Sequence, residues 1–263
     1  MECRAVADHI VRWLDDYCAT CGTKGFVVGI SGGIDSALVS TLAAMTGRKT
    51  LCVTLPIHQA ASQVSRAEEH VAWLKGRFPN VEADDVDLTD GYEKFIGSFP
   101  DKTKSQPTTE LTYANTRSRL RMTALYFFAG IEGLLVVGTG NKIEDFGVGF
   151  FTKYGDGGVD ISPIADLTKS EVWELAAYLG VPESIIKAKP TDGLFGDDRS
   201  DEDQIGASYP ELEWAMELYE SGEDVSSLTG RQKEVYDIFV RRHKANQHKM
   251  QPIPCCKVPA EIK

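Results

Sequence analysis

One short segment carries the residue types needed to bind a phosphate group. Residues 29–36 read Gly-Ile-Ser-Gly-Gly-Ile-Asp-Ser and stand between an apolar run at 26–28 and a helical pattern that starts at residue 37. The glycines let a ligand approach the backbone closely, and the following helix offers unpaired N–H groups and a positive dipole end to an anion. Two serines add hydroxyl donors, and Asp35 can face a metal ion carried by the phosphates. The segment predicts a phosphate-binding loop, although no lysine follows the glycines as in the common GxxxxGK[ST] loop.

A second segment places another carboxylate at the end of a strand. Residues 138–144 read Gly-Thr-Gly-Asn-Lys-Ile-Glu and follow the apolar run 134–137. By itself Glu144 reads as a solvated surface acid. If the strands before the two segments are neighbours, Asp35 and Glu144 can face one ion. Because Mg²⁺ takes one or two carboxylates together with substrate phosphates and water, this pair predicts a magnesium site.

A third segment, residues 150–163, has three glycines within four positions, in Tyr-Gly-Asp-Gly-Gly. Such a loop suits a backbone that meets a ligand closely, and it also suits a surface turn. The residue types alone leave both interpretations open.

The elements that must position these segments alternate between strands and helices. Continuous apolar runs, rather than strict alternation, indicate a parallel sheet that is covered on both faces. We therefore expect an α/β fold with a doubly wound parallel sheet, helices on both faces and the phosphate loop at the carboxyl end of the first strand. The predicted strands lie at 26–28, 50–55, 81–86 and 134–138, and the third of them could lie at a sheet edge.

The helical patterns add three expectations. Residues 108–133 predict one long helix or a helical hairpin, whose apolar second half must be buried in a core or against a second subunit. Thr168, with Glu171 three residues later, predicts a capping box at a helix start. We expect a single domain over 1–263, with a mobile loop at about 193–203 and a flexible carboxyl-terminal tail from residue 243.

Composition restricts the class of protein. The 263 residues carry a net charge of −11, from 28 basic and 39 acidic residues, which argues against a nucleic-acid partner. No apolar run is long enough to span a bilayer, and the first residues lack a secretory hydrophobic core. We therefore expect a cytoplasmic protein without a membrane partner.

Six cysteines raise the question of a metal site. Cys18 and Cys21 could form half of a zinc site, with Cys255 and Cys256 as the rest, but the second spacing does not suit a usual zinc knuckle. In a cytosolic chain, reduced structural thiols are the main interpretation, and a metal or redox role is the alternative.

The 31–36 segment, SGGIDS, resembles the SGGxDS loop of the ATP pyrophosphatases, which cleave ATP to AMP and pyrophosphate. Over nearly its full length the chain also resembles the NAD synthetases. The resemblance rests on SGGIDS, NTRSRLRM (115–122), GTGNKIE (138–144), FFTKYGDGGVD (150–160), LTKSEV (167–172), SDEDQIG (200–206) and HKM (248–250).

The resemblance implies a homodimeric enzyme of the adenine nucleotide alpha-hydrolase type, with a Rossmann-like sheet. It would activate the nicotinate carboxylate of deamido-NAD with ATP as an adenylate and let ammonia displace AMP. Mg²⁺ would be held by Asp35 and Glu144, which count with Lys169 as catalytic residues. The matching ATP-binding positions are Gly29, Ile30, Ser31, Gly32, Gly33, Ile34, Asp35, Ser36, Thr139, Lys169 and Ser200. The matching deamido-NAD-binding positions are Arg119, Lys153, Asp160, His248 and Lys249.

The residue types fit this chemistry. Attack on the α-phosphorus builds charge on phosphate oxygens, so cations and backbone amides are the expected catalysts. Glutamine-using relatives carry an additional amidase domain, for which these 263 residues leave no room, so we expect free ammonia as the donor. His248 is preferred to His243, although His243-Lys244 repeats the same dipeptide.

Two alternatives remain at this stage. One is another ATP pyrophosphatase, such as the synthetase part of a GMP synthetase, against which FTKYGDGG argues. The other is a non-catalytic nucleotide-binding regulator, which would be expected to lose some of the matching positions. Fold alone does not decide between them.

Overall fold

The computed structural model describes residues 1–191 and 200–263 and arranges them around a parallel β-sheet. In the described residues the sheet has four strands in the order β3–β2–β1–β4. Val27 in the central strand lies opposite Leu51 on one side and Val136 on the other. The strands are β1 (Gly25–Gly29), β2 (Lys49–Thr54), β3 (Val81–Asp85) and β4 (Leu134–Val136).

Helices precede the first strand, connect the strands and follow the last of them. A π-helical turn, Lys142–Val148, comes after β4. The α-helices of the described residues are α1 (Cys3–Cys21), α2 (Ile34–Met45), α3 (Ala61–Arg77), α4 (Thr89–Gly97), α5 (Thr109–Glu132), α6 (Lys169–Tyr178), α7 (Glu183–Ile186), α8 (Asp201–Ile205), α9 (Tyr209–Ser221) and α10 (Gly230–Met250).

The two faces of the sheet pack against different helices because side chains alternate along each strand. Phe26 and Val28 pack with buried residues of α1, α2 and α6. Val27 and Val136 face the opposite way and pack against α5, through Ala129. Burial on both faces explains the unbroken apolar runs of the sequence, and it confirms the predicted fold class.

A further apolar cluster lies beside the sheet. It joins Ile143 of the π-helical turn to α8, α9 and α10, with Tyr209 and Phe239 fully buried in it. This cluster fixes the π-helical turn against the last helices of the chain.

The sheet order places the ligand-binding edge. From β1 the chain moves outward to β2 and β3, then returns to the other side of β1 with β4. The carboxyl ends of β1 and β4 therefore flank the point at which the strand order reverses, where open α/β sheets bind ligands. Within the described ranges, no helix combines the length and the apolar character needed to cross a membrane.

The carboxyl-terminal region differs from the expectation. The tail was predicted to be loose from residue 243, but α10 continues to Met250. The His243 Nδ1 lies 2.7 Å from the Gly147 carbonyl oxygen, and the Asn246 side chain donates to the Val148 carbonyl at 2.9 Å. These contacts attach the end of α10 to the π-helical turn, so only residues 251–263 extend beyond the helix.

The predicted mobile loop at 193–203 lies mostly outside the described residues. Its last positions are described, and they form a capped helix start. The Ser200 hydroxyl accepts a hydrogen bond from the Asp203 backbone N–H at 3.2 Å, and Asp203 in turn accepts from the Ser200 backbone N–H at 3.0 Å. Sequence patterns of mobile loops and of capped helix starts share serine and acidic residues, so the two are easily confused.

Candidate functional site

The glycine-rich segment forms the turn between β1 and α2. Gly32 has a φ of +82°, and a Cβ at this position would lie 2.4 Å from the Gln63 carbonyl oxygen of α3. Only glycine meets both conditions without strain. The Ser31 hydroxyl accepts from the Gly33 N–H at 3.2 Å and lies 3.1 Å from the Ser36 hydroxyl. The turn is thereby fixed with its backbone at the start of α2, as an anion site requires.

Asn141 connects the two predicted carboxylates. It caps the π-helical turn, where its side-chain oxygen accepts from the backbone N–H groups of Ile143 and Glu144 at 3.1 and 3.0 Å. Its amide nitrogen donates to the Asp35 carboxylate at 3.0 Å. Because β1 and β4 are neighbours, one amide reaches both segments. Asn141 was not predicted as a site residue, although asparagine at a helix start is a recognisable cap.

Lys169 lies between the same two carboxylates. Its Nζ is 2.6 Å from Asp35 Oδ2 and 2.8 Å from Glu144 Oε1, and the lysine side chain is only 2% exposed. The lysine stands at the first position of α6, which begins with the predicted capping box of Thr168 and Glu171. The structure thus brings the three predicted catalytic residues into direct contact.

Burial and charge oppose each other in this cluster. Burial lowers the pKa of Lys169, but the two carboxylates outweigh it, so the net shift is upward. Burial raises the pKa of Glu144, but Lys169 and hydrogen bonds more than offset this and hold it below its usual value. Burial raises the pKa of Asp35, and Lys169 offsets only part of the rise. The charged form of Glu144 therefore depends on its neighbours.

The donor set fits a hard divalent cation. Two carboxylate oxygens converge on one point that the ammonium of Lys169 reaches in this structure. No group of three or more His, Cys, Asp or Glu side chains suited to a metal occurs within 1–191 or 200–263. A metal held by Asp35 and Glu144 would therefore need further oxygen ligands from phosphate or water, as Mg²⁺ usually does.

A cavity of about 430 Å³ opens at the carboxyl ends of the strands. The phosphate loop lines it through Gly29, Ile30 and Ser31, and Thr139 and Glu144 line it from the β4 side. Two of the predicted ATP-contacting residues lie next to residues that line the cavity and do not line it themselves. Lys169 is buried next to the lining residue Glu144, and Ser200 directly precedes the lining residue Asp201. Cavities of this size bind small molecules.

Tyr209 is a second residue that the sequence analysis missed. Its hydroxyl donates to Glu144 Oε1 at 2.5 Å and lies 3.2 Å from Asp201 Oδ2. The Lys169 Nζ stands 5.0 Å from the centre of the tyrosine ring. The sequence marks this position only as the start of a capped helix, so no local pattern indicates that the side chain reaches Glu144.

Four of the five residues matched to the dinucleotide lie around residues 149–153. The Arg119 Nε donates to the Lys153 carbonyl at 3.3 Å, and the Lys153 Nζ donates to the His248 carbonyl at 2.6 Å. The Lys249 Nζ donates to the Phe151 carbonyl at 2.6 Å. The fifth, Asp160, lies apart from these contacts, where it accepts from the Val136 N–H at 2.8 Å and the Tyr126 hydroxyl at 3.0 Å.

His243 has contacts typical of a packing residue. Its ring stacks on Phe239 at 5.6 Å and lies 5.2 Å from Tyr219. His248, one helical turn and a half further along α10, is exposed. The assignment of His248 rather than His243 to ligand binding stays a prediction.

The third glycine-rich segment closes over α5. The Asp156 carboxylate accepts from the Ser118 hydroxyl at 2.6 Å and from the Thr152 N–H at 3.0 Å. A Cβ at Gly155 would lie 2.2 Å from the Ser118 hydroxyl oxygen, which explains glycine at that position. Gly155, Asp156 and Ser118 line the same cavity as the phosphate loop. The segment is therefore part of the site and not a detached surface turn.

No group of three or more His, Cys, Asp or Glu side chains in the described part of the chain places the cysteines around a metal ion. Cys18 is buried, whereas Cys21, Cys255 and Cys256 are exposed, and all six thiols are free. The Cys18 sulfur lies 3.2 Å from the Thr23 hydroxyl, which closes the end of α1.

The chain is similar to known proteins over nearly its full length. The family described as NAD synthase matches residues 6–253. The NH(3)-dependent NAD(+) synthetase of Methanosarcina mazei is 36% identical over 263 residues, which covers 97% of this chain and 99% of the relative. The solved NMN synthetase of Francisella tularensis is 32% identical, with a TM-score of 0.82 and 99% of both chains covered. The NH3-dependent NAD synthetase of Campylobacter jejuni, solved with a nitrate ion, is 25% identical, with a TM-score of 0.78 and coverage of 98% of this chain and 100% of that one. The chain belongs to the NAD synthase family.

Proposed function

We propose that this chain is a ligase that amidates deamido-NAD to NAD⁺ with ATP and ammonia, releasing AMP and pyrophosphate. The observation that carries the proposal is the convergence of Asp35, Glu144 and Lys169 beside a phosphate-binding turn at the ligand edge of the sheet. Relatives of nearly the same length are named as NH(3)-dependent NAD(+) synthetases.

Different residues would have different roles in adenylation. The 29–36 turn would bind phosphate oxygens through backbone N–H groups and the helix dipole. Asp35 and Glu144 would hold Mg²⁺, which when bound supplies positive charge to the phosphates. Lys169 adds a second positive charge at the same place. No side-chain nucleophile is needed, because the substrate carboxylate itself attacks the α-phosphorus and pyrophosphate leaves.

Substitution of the two carboxylates tests this assignment. Asp35→Asn and Glu144→Gln should each lower kcat/KM by a hundredfold or more, since loss of one charge at a developing pyrophosphate costs about 3 kcal/mol. Asp166→Asn is the matched control, because Asp166 is an exposed acid three residues before Lys169. Near-normal turnover of both variants at low Mg²⁺ would contradict the assignment.

Ammonia is proposed as the nitrogen donor. The relatives that match over almost their whole length are named for ammonia. With glutamine alone, in ammonia-free buffer, product should not exceed that of a blank without donor. Equal rates with glutamine and ammonium would show that the donor is assigned incorrectly.

The nicotinate substrate has a specific rival. The NMN synthetase of Francisella tularensis is 32% identical and covers 99% of this chain, and its name implies a mononucleotide product. Comparison of kcat/KM for deamido-NAD and for nicotinate mononucleotide decides between them. We expect deamido-NAD to be preferred, because this chain is 36% identical to relatives named NAD synthetases and 32% identical to the NMN synthetase.

We further propose that Arg119, Lys153, Asp160, His248 and Lys249 bind the dinucleotide. The side chains of Lys153 and Lys249 fix the end of α10 against the loop at 149–153. Lys249→Met should therefore weaken deamido-NAD binding about tenfold and leave ATP binding nearly unchanged in isothermal titrations. Lys244→Met provides the control, since it is exposed on the same helix within the repeated His-Lys dipeptide.

The exposed face of α5 supports a homodimer. Phe127 is 64% exposed and Ile131 is 69% exposed. The two residues are four positions apart and therefore lie on one face of the helix. An apolar strip of this kind on a solvent face is typical of a protein interface. We propose that a second copy of the chain covers it.

A further inference from the structure

Tyr209 lies directly behind the cluster of Asp35, Glu144 and Lys169, and the chemistry described above does not use it. The side chain is fully buried, and its ring meets Trp173 edge-on at 5.9 Å between ring centres. Its hydroxyl is 2.5 Å from Glu144 Oε1. A buried phenol of this kind needs a hydrogen-bond partner, and Glu144 supplies it.

Glu144 Oε1 is held by two donors. The Lys169 Nζ reaches it at 2.8 Å, and the Tyr209 hydroxyl reaches it at 2.5 Å. The Glu144 backbone N–H is separately fixed by Asn141 at 3.0 Å. If Lys169 moved toward a bound phosphate, Tyr209 would be the remaining donor of the two that hold this oxygen.

The ring and the hydroxyl of Tyr209 have separable roles. The ring fills space between α6 and α9 and faces the Lys169 ammonium at 5.0 Å. Phenylalanine would fill nearly the same space and keep this contact, but it would leave Glu144 without its second donor. The hydroxyl and not the ring therefore supplies the second donor to Glu144.

The same hydroxyl also approaches α8. It lies 3.2 Å from Asp201 Oδ2. Asp201 is only 5% exposed and stands in the first turn of α8. The Glu202 carboxylate accepts from the Tyr209 backbone N–H at 2.9 Å, so α8 is attached to the start of α9 at two points. Ser200, the capping residue of α8, is a matched ATP-contacting position.

We propose that the Tyr209 hydroxyl is a positioning group that donates its single proton to Glu144 and holds this carboxylate toward Asp35, around the point where the two carboxylates meet a cation. Asp201 of α8 lies 3.2 Å from the same hydroxyl. Outer partners of this kind orient the ligands of metal sites and are commonly worth tenfold or more in metal affinity. The inference rests on the proposed function for its metal and its activity readout.

Binding of Mn²⁺, used as the spectroscopic probe, tests the proposal without turnover. We expect Tyr209→Phe to raise the Mn²⁺ dissociation constant about tenfold, measured by electron paramagnetic resonance in the presence of a non-hydrolysable ATP analogue. Tyr219→Phe is the matched control, because Tyr219 is on the same helix and packs against Phe239 and His243 instead. It should bind Mn²⁺ as the unchanged protein does.

A double-mutant cycle separates positioning from a general loss of stability. If Tyr209 acts through Glu144, adding Tyr209→Phe to Glu144→Gln should produce no further loss of Mn²⁺ affinity. Equal, additive losses in both backgrounds would overturn the proposal. Urea unfolding of each variant identifies any folding defect, and Asp201→Asn serves as a second variant, for which we expect a smaller loss, about threefold.

The outcomes also distinguish this inference from the proposed function. A loss of Mn²⁺ affinity in Tyr209→Phe but not in Tyr219→Phe, in a protein that amidates neither nicotinate nucleotide, would support the positioning role and refute the proposed function. Normal amidation with unchanged Mn²⁺ affinity and unchanged kcat/KM in Tyr209→Phe would refute the positioning role alone. Absence of Mn²⁺ binding in the unchanged protein would refute both the metal assignment and the inference.

Discussion

Removal of the Lys169 ammonium offers a sharp test of the buried cluster. Its Nζ lies 2.6 Å from Asp35 and 2.8 Å from Glu144, and the three side chains are 2%, 18% and 15% exposed. Lys169→Met keeps an unbranched apolar chain of similar length and removes the charge together with its hydrogen bonds to the two carboxylates. Two facing carboxylates would then remain without their cation.

The magnitude follows from burial. Loss of one partner from a buried ion pair typically costs about 3–5 kcal/mol, because the remaining charge stays desolvated. We expect a value near the lower end, about 3 kcal/mol, since both carboxylates keep some access to solvent. With an m-value of about 3 kcal/mol/M, the urea midpoint should fall by about 1 M.

The assay is equilibrium unfolding in urea at pH 7 and fixed protein concentration, without Mg²⁺. Adding Asp35→Asn to Lys169→Met should restore part of the lost stability, because it removes one of the two repelling charges. Lys187→Met is the control, since Lys187 pairs with Glu183 on an exposed helix face and should leave the midpoint unchanged. If Lys169→Met shifts the midpoint no more than this control, the cluster does not stabilise the fold as argued.

Three further outcomes are expected. Burial lowers the pKa of His70 from 6.5 to about 4, so the contribution of His70 to stability is complete above pH 6.5 and falls by up to about 3 kcal/mol toward pH 4, because the unfolded chain binds this proton first. The difference in unfolding free energy between the unchanged protein and His70→Gln, from urea titrations at several pH values, should show this loss. Gly32→Ala should lower the free energy of unfolding by more than about 2 kcal/mol and abolish ATP binding, because its Cβ would meet the Gln63 carbonyl. Gly47→Ala is the control, since Gly47 has a φ of +75° with nothing within 4 Å, and in the same denaturation assay it should lower this free energy by only about 1 kcal/mol. Phe127→Lys should convert a dimer to monomers in sedimentation velocity, and an unchanged sedimentation coefficient would exclude α5 as the interface.

The sequence was sufficient for features that depend on local chemistry. Apolar runs of strand length predicted β1, β2 and β4, because strands of a doubly covered parallel sheet need apolar residues on both faces. The edge strand β3 reads Val-Glu-Ala-Asp-Asp and is mostly exposed, so no such run marks it. The capping box at Thr168 is set by two side chains three residues apart, and the structure has it. Family membership was equally accessible, since SGGIDS and FTKYGDGG are contiguous in the chain.

Tertiary structure alone decided which distant groups meet. Asp35 and Lys169 are 134 positions apart, and they form an ion pair only because α6 starts beside the carboxyl ends of β1 and β4. Tyr209 reaches Glu144 across 65 positions for a related reason, as α9 packs on the π-helical turn. Nothing in the neighbourhood of either residue along the chain encodes these distances.

The end of α10 is ordered by contacts that the local sequence does not predict. Locally the residues after 243 are basic and polar, which is typical of a solvated tail. In the folded chain Asn246 and Lys249 donate to backbone carbonyls of residues 148–151, and these bonds hold the helix to Met250. The carbonyl groups that stabilise this segment lie about one hundred positions away along the chain. The order of the segment therefore depends on tertiary packing, which the local sequence does not predict.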